Sequence, residues 1–217
     1  MPYQLQRKQV VSLKLFDMIE GKFKSTFYLL FGHMLSRNEA YELLKKNLRT
    51  ENLIKHSLAV EAILQEMAKK LGENPEHWGI TGLLHDLDYD LTKNKPEHHS
   101  LVTITILADL LPKEAVNAIK AHNYQYTAQT PQTYIDKSLI AADAVSGLVI
   151  ATALVMPSKK IMDVTPKTLM TKFKDKSFAA GCNRKRIELC EDMELELQVF
   201  LELSLNALKN IANELGL

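Results

Sequence analysis

The sequence has few cysteines and almost no net charge, and each shortage excludes a class of protein. Its two cysteines, Cys182 and Cys190, lack a CxxC neighbour, which argues against a zinc knuckle and against a disulfide framework. The formal net charge is +1, so the chain as a whole offers no basic field for nucleic acid or for an anionic membrane. We therefore expect a cytoplasmic protein with neither a nucleic-acid nor a membrane partner.

Targeting signals and long apolar runs are also scarce. The N-terminus alternates charged with apolar side chains and lacks the apolar core and cleavage site of a signal peptide. One run, LIAADAVSGLVIATALVM (residues 139–156), is at the short edge of what crosses a bilayer and contains a charged residue, Asp143. This pattern favours a buried core helix, in which a carboxylate is costly unless it has a partner.

Strand signals, internal repeats and low-complexity segments are nearly absent, whereas helix signals are frequent. The predicted helix boundaries are a capping box at Ser36–Glu39 with an end near Leu48, a helix from Thr50 to Gly72, a start at Asn74-Pro75, starts at Pro96, Pro112 and Pro166, and a helix through residues 194–205. The sequence therefore predicts an all-α fold. We expect one helical domain over residues 36–217 and a helical N-terminal extension over residues 1–35, with Met34 as an alternative start. The sequence is compatible with a monomer or a homo-oligomer.

Several polar side chains fall on the apolar faces of the predicted helices. His56 shares a stripe with Val60 and Leu64, and His85-Asp86 closes an apolar turn. The same spacing places His99, His122 and Asp143 on inward faces, which carry no Lys or Arg to pair the acids. Imidazole and carboxylate ligands without thiolates suit divalent ions of borderline or hard character. The sequence therefore predicts a buried metal site.

The order His56, His85-Asp86, Asp143 resembles the H…HD…D signature of the HD-domain superfamily of metal-dependent phosphohydrolases, over roughly residues 50–150. The resemblance implies an HD-type helical bundle with additional C-terminal helices. It also implies that these four residues bind one or two divalent ions, chosen among Mn, Fe, Ni, Co, Zn and Mg.

The resemblance further implies that Asp86 bridges two ions if a second is present. His99 and His122 then complete the second site, as in the dinuclear branch that includes cyclic-dinucleotide phosphodiesterases and a diadenosine-tetraphosphate hydrolase. With one ion, they are free to act as acid, base or phosphate ligand. His98 is an alternative to His99.

The motif also departs from the known specificities. The sequence His85-Asp86-Leu87-Asp88-Tyr89 lacks the glycine and lysine of the HDIGK motif of cyclic-di-GMP enzymes, and no GYP motif follows. Tyr89 stands where the 5′-deoxynucleotidases of the superfamily have a glutamate. The resemblance therefore implies neither cyclic-di-GMP nor 5′-deoxynucleotides as the substrate of this chain. The chain looks closer to a group of HD hydrolases with an HDxDY motif.

We expect a hydrolase of a phosphate ester or anhydride, acting on a phosphorylated, nucleotide-like small molecule through metal-activated water. Asp86, His99 and His122 are the predicted catalytic residues. The predicted phosphate-binding residues are Lys93, Lys95, Asn123, Arg184 and Arg186. Two alternatives use the same ligands, a di-iron oxygenase and a non-catalytic module that senses nucleotides.

Overall fold

A computed structural model describes residues 35–217, and these residues contain helices and no strand. The predicted N-terminal extension and the alternative start at Met34 lie outside the described residues, apart from Leu35. The helices are α1 Arg37–Asn47, α2 Glu51–Leu71, α3 Pro75–Leu84, α4 Tyr89–Thr92, α5 Leu101–Leu107, α6 Lys113–His122, α7 Tyr124–Thr127, α8 Tyr134–Leu154, α9 Pro166–Lys174, α10 Arg184–Ile187, α11 Leu197–Asn210 and α12 Ala212–Leu215. Short 3₁₀ turns occur at Ile161–Asp163 and Glu188–Met193. The predicted all-α class is confirmed.

The first two helices begin in different ways. Ser36 forms the predicted capping box of α1, because the Glu39 amide donates to its Oγ and its own amide donates to the Glu39 carboxylate. Thr50 instead donates its hydroxyl to Asp90 Oδ1 at 2.7 Å, and Asp90 Oδ2 accepts the amides of Arg49 and Thr50. Asp90 therefore anchors the start of α2 from 40 residues away in sequence.

Most of the other predicted boundaries are confirmed. Asn74 caps α3 with Pro75 in its first turn, Pro112 precedes α6, and Pro166 begins α9. Pro96 is an exception, because it lies in a turn and α5 begins only at Leu101. The helix predicted over residues 194–205 begins at Leu197, because Glu194 takes a left-handed conformation that ends the preceding 3₁₀ turn.

Helix α8 lies in the middle of the fold and contacts α2, α3, α6, α9, α10 and α11. It is the one helix in residues 35–217 long and apolar enough to cross a membrane, and 67% of its most apolar window is buried inside the protein. Such burial is typical of a core helix. The buried apolar side chains from Ala40 to Leu215 belong to one cluster, so the C-terminal helices share the core of the motif-bearing helices.

Helices α2 and α3 approach each other closely at Gly82. A Cβ at Gly82 would lie 2.9 Å from Leu64 Cδ1, 3.0 Å from the Val60 carbonyl oxygen and 3.1 Å from the Glu61 amide nitrogen. Two of these three atoms belong to the backbone of α2, so a side chain here would push the helices apart.

We expect Gly82→Ala to lower the free energy of unfolding by about 1–3 kcal/mol, the usual cost of overpacking a tight contact. Chemical denaturation monitored by circular dichroism measures the change. Gly181→Ala is the matched control, because a Cβ there meets nothing within 4 Å, and it should change stability by less than about 0.5 kcal/mol. Equal stability of the two variants would contradict the close approach.

Candidate metal centre

The six predicted ligands come from separate parts of the fold and meet around Asp86. His56 lies in α2, His85 caps the end of α3, His122 is the last residue of α6, and Asp143 lies in α8. Asp86 Oδ1 lies 3.3 Å from His85 Nε2, 3.2 Å from His99 Nε2 and 3.4 Å from His122 Nε2, and Asp86 Oδ2 lies 3.7 Å from His56 Nε2. One carboxylate therefore faces four imidazoles.

His99 reaches the cluster from a turn, and the prediction that it shares a helical face is wrong. Helix α5 begins after it, and the intervening Ser100 has a φ of 70°. Asn123 donates its amide to the carbonyl oxygens of Pro96 and His99, both at 2.9 Å, and so fastens the turn to the end of α6. His98, the alternative, points toward Glu97, with 3.7 Å between His98 Nε2 and Glu97 Oε1.

Each of the four imidazoles has an acceptor at Nδ1. The Nδ1 partners are Ser146 Oγ at 3.2 Å for His56, Gly82 O at 2.7 Å for His85, Asp88 Oδ1 at 2.8 Å for His99 and Ile119 O at 2.5 Å for His122. Ser146 donates its hydroxyl proton to the Asp143 carbonyl, so its oxygen accepts from His56. These acceptors keep a proton on Nδ1 and turn the Nε2 atoms toward Asp86, which is the orientation of metal-binding histidines.

His85 Nε2 gives the clearest sign that the donor set suits a cation. The side chain is fully buried, and its Nε2 makes no hydrogen bond within residues 35–217. Burial lowers the pKa of His85 to about 4, so the ring is neutral at pH 7. A lone pair 3.3 Å from a carboxylate oxygen is electrostatically unfavourable, and a cation between the two atoms would relieve the repulsion.

The ligand atoms divide into two groups that share Asp86. His56, His85 and Asp86 form one group, and Asp86, His99 and His122 form the other, each with its ligand atoms within 4.8 Å of one another. His99 Nε2 and His122 Nε2 are themselves only 3.0 Å apart. The residues fit one or two divalent ions, with Asp86 as the shared ligand.

Without a metal ion, protonation of histidine compensates the buried carboxylates. Burial lowers the pKa of His99, but its hydrogen bonds to Asp86 and Asp88 outweigh this and raise it to about 10. The pKa of His56 is also raised, because Asp143 and Asp86 outweigh the effect of burial. The imidazoles in turn hold the pKa of Asp86 well below its usual range, against the effect of burial.

The partner of Asp143 includes a cation that the sequence pattern missed. Arg186, from α10, donates Nη2 to Asp143 Oδ2 at 3.0 Å and to the His122 carbonyl oxygen at 2.9 Å. Asp143 Oδ1 lies 3.2 Å from His56 Nε2. Arg186 was predicted to bind phosphate and lies on a different helix from Asp143, so the absence of Lys and Arg from the inward face of α8 did not reveal this ion pair. Asp143 lies at the edge of the cluster, and its role as a metal ligand stays a prediction.

Arg184 was predicted to bind phosphate, and the structure contradicts this prediction. Its guanidinium donates to backbone carbonyl oxygens of six residues: Lys172, Phe173, Asp175, Phe178, Ala179 and Cys182. The donors of a guanidinium number five, so none is left for a ligand. Asn123 likewise uses both N–H groups of its side-chain amide to hold the turn, through hydrogen bonds to the Pro96 and His99 carbonyl oxygens. Lys93 and Lys95 are exposed, and their role in phosphate binding stays a prediction.

Asp88 is a site residue that the sequence analysis did not select. Its side chain is fully buried, with Oδ1 facing His99 Nδ1 at 2.8 Å and Oδ2 accepting the Thr103 amide at 3.0 Å. Its own amide donates to Thr103 Oγ1 at 3.1 Å. Asp88 therefore orients His99 and fixes the start of α5. In the sequence, Asp88 stands two positions after Asp86 and is separated from the His-Asp pair only by Leu87. This proximity to the motif was the available indication of a role at the site.

These features together define a helical domain with a buried His/Asp cluster that could hold a divalent metal ion. The family model for the HD domain matches residues 53–148, which contain all six predicted ligands. Residues 53–148 of the chain therefore correspond to an HD domain. No solved structure matches the chain.

Curated relatives match just under half of the chain. Ribonuclease Y of Nitratidesulfovibrio vulgaris is 31% identical over 99 residues, and ribonuclease Y of Thermosipho melanesiensis is 32% identical over 97 residues. The matches cover 45% and 44% of this chain, respectively, and 18% of each relative. The chain therefore corresponds to less than a fifth of the length of these relatives, and the similarity shows a shared domain.

We expect Asp88→Asn to weaken the second ion, held by His99 and His122, by roughly 10- to 100-fold, the usual effect of losing a hydrogen-bond partner of a metal-binding histidine. The asparagine side chain would have one oxygen and one NH₂ group in place of the two carboxylate oxygens that face His99 Nδ1 and the Thr103 backbone amide. Its NH₂ group would therefore face one of these two donors without an acceptor. Titration calorimetry with Mn²⁺ and elemental analysis after dialysis measure the loss. Asp109→Asn is the control, because Asp109 is exposed and belongs to neither ligand group, and identical metal content in both variants would refute the role of Asp88.

We also expect metal binding to release about one proton near pH 7, because the ion must replace the Nε2 proton of His99. The pKa of His99 is about 10 without metal, so affinity should rise as the pH increases toward 10 and fall toward pH 6. Calorimetric titrations in buffers of different ionisation enthalpy count the protons. His98→Ala should behave as the wild type, and a heat independent of the buffer would contradict the protonated state.

Proposed function

We propose that this protein is a metal-dependent phosphohydrolase that cleaves a phosphate ester or anhydride in a nucleotide-like substrate. The observation that carries the proposal is the shared Asp86, which faces two histidine pairs whose Nε2 atoms converge on it. The HD-domain match supports the same class of activity at the level of the family.

The residues that would hold the metal are His56, His85 and Asp86 on one side and His99 and His122 with Asp86 on the other. When bound there, a divalent cation lowers the pKa of a coordinated water and neutralises charge on a phosphoryl oxygen.

The protein contributes fixed positions and a dry environment. Asp86 and His85 are buried, and Asp88 holds a proton on Nδ1 of His99, so the ligands keep one tautomer during the reaction. Arg186 places a guanidinium at the edge of the cluster, and its buried Nε has no hydrogen-bond partner within residues 35–217. We propose that the Arg186 guanidinium binds the phosphate of the substrate.

A second candidate substrate is an RNA phosphodiester. The matched relatives are named ribonucleases, and the HD-domain model covers the residues of the candidate metal centre. Because the chain matches only 18% of each relative, this substrate is proposed from the domain alone. The two candidates share the chemistry at phosphorus and differ in the length of the substrate.

Asp86→Ala should reduce kcat by at least about 10³-fold while the helix content stays unchanged, because both ligand groups lose their common carboxylate. The assay uses protein freed of metal and reloaded with Mn²⁺, Co²⁺, Ni²⁺ or Mg²⁺. Its substrates are an aryl phosphate, a bis-aryl phosphodiester, a panel of nucleotides and a short RNA.

Asp109→Ala is the matched control, because Asp109 is exposed and belongs to neither ligand group. Turnover by Asp86→Ala at the wild-type rate would refute the proposal. Oxygen uptake by the iron-loaded protein without phosphate release would favour the oxygenase instead. Nucleotide binding without turnover under any metal would favour the sensing module.

A further inference from the structure

The near-neutral total charge hides a strongly basic stretch. Residues 159–186, called the basic segment below, contain nine Lys and Arg residues and only two Asp residues, a net charge of +7. The formal net charge of the whole chain is +1, so the other residues together are acidic. The charges of this protein are therefore separated along the sequence.

Six of the seven lysines of the basic segment are exposed and form no ion pair within residues 35–217, whereas Lys172 is half-buried and lies over the Phe178 ring. Lys159, Lys160, Lys167, Lys174, Lys176 and Lys185 are all exposed, and none of them forms an ion pair within residues 35–217. One of the two acids, Asp175, accepts hydrogen bonds from Ser177 and Phe178. The positive charge is thus available to a ligand.

Lysines on the first two helices are in a different situation. Lys45 pairs with Glu42 at 2.7 Å, Lys55 with Glu51 at 2.9 Å and Lys69 with Glu66 at 2.6 Å. These helical ion pairs neutralise their surface locally. The unpaired lysines of the basic segment are therefore not a general property of this surface.

The basic segment borders the metal centre. Arg184 gathers the carbonyl oxygens of residues 172–182 around its guanidinium, which fixes this stretch as one folded unit. Arg186, two residues later, contacts Asp143 and the His122 carbonyl. Cys182 Sγ lies 3.0 Å from the position of a Cβ on Gly147, one helical turn after Asp143. Positive charge thus begins at the site and extends outward along the segment.

We propose that the basic segment binds the backbone phosphates of a single-stranded oligonucleotide and that one of its phosphodiesters lies at the metal centre. The proposal rests on the proposed phosphohydrolase activity and names its substrate class. Lys167 and Lys174, near the two ends of α9, are about 10 Å apart along the helix axis at 1.5 Å per residue. One phosphate cannot contact both, whereas successive phosphates of a strand can.

An aromatic side chain at the metal centre agrees with this substrate. The ring of Tyr89 packs edge to face on His99, with centroids 5.3 Å apart, and 37% of the residue is exposed. Exposed rings beside basic grooves stack unpaired bases in proteins that bind single strands. Tyr89 therefore offers a base a platform next to the reacting phosphate.

The test measures binding without turnover. A fluorescein-labelled 12-nucleotide single-stranded RNA is titrated with metal-free protein in EDTA, and anisotropy is recorded at several salt concentrations. Neutralising Lys167→Gln, Lys174→Gln and Lys176→Gln together should weaken binding roughly tenfold at low salt. It should also reduce the slope of log K against log salt by about 2, at about 0.7 for each lost phosphate contact.

The control carries Lys45→Gln, Lys55→Gln and Lys69→Gln, which remove the same charge from helices α1 and α2, and it should bind as the wild type does. Equal weakening in both triple variants would overturn the proposal, as would wild-type RNA binding no tighter than that of a labelled mononucleotide. Binding to phosphatidylserine vesicles with no binding to RNA would also overturn it. Thermal unfolding verifies that each variant is folded.

The assay contains no metal, so its result is independent of hydrolysis. Failure of the protein to cleave any phosphate ester would refute the proposed function and leave the RNA-binding result standing. Loss of lysine-dependent binding with cleavage of nucleotides retained would refute the oligonucleotide substrate and leave the phosphohydrolase intact.

Discussion

The structure depends on one buried carboxylate, Asp86, and on the electrostatic compensation that it requires. Four imidazoles face this group, and a carboxylate so far from water is tolerated only when cations or hydrogen bonds balance its charge. Protonation of His99 supplies part of this balance when no metal is bound. A divalent ion would supply it more completely, because all four rings already hold their protons on the opposite nitrogen.

The surroundings of the site hold the ligands in place. Gly82 serves two purposes, since its lack of a side chain lets α3 approach α2 and its carbonyl oxygen orients His85. Asp88 and Asn123 hold the turn that carries His99. Arg186 connects the site to the C-terminal part of the chain, which lies beyond the matched HD segment. The regions outside the motif thus contribute both rigidity and charge to the centre.

Much of the architecture was predictable from local signals. The caps at Ser36 and Asn74 and the glycine stop at Gly72 act through bonds within a few residues, and the structure confirms each of them. The motif residues came together for a related reason, because apolar periodicity orients side chains at known intervals along a helix. His99 was the exception, since its position depends on a turn held by Asn123.

By itself, the sequence determined the all-α class, the main helix boundaries and the membership of His56, His85, Asp86 and His122 in one buried cluster, since these follow from short-range patterns. Only the tertiary structure decided how Asp143 is compensated, because Arg186 is 43 residues away along the chain. It also decided that Arg184 holds the backbone while its neighbour Arg186 reaches the site. Sequence patterns cannot assign different roles to two arginines only two residues apart, because long-range packing determines which donors are occupied.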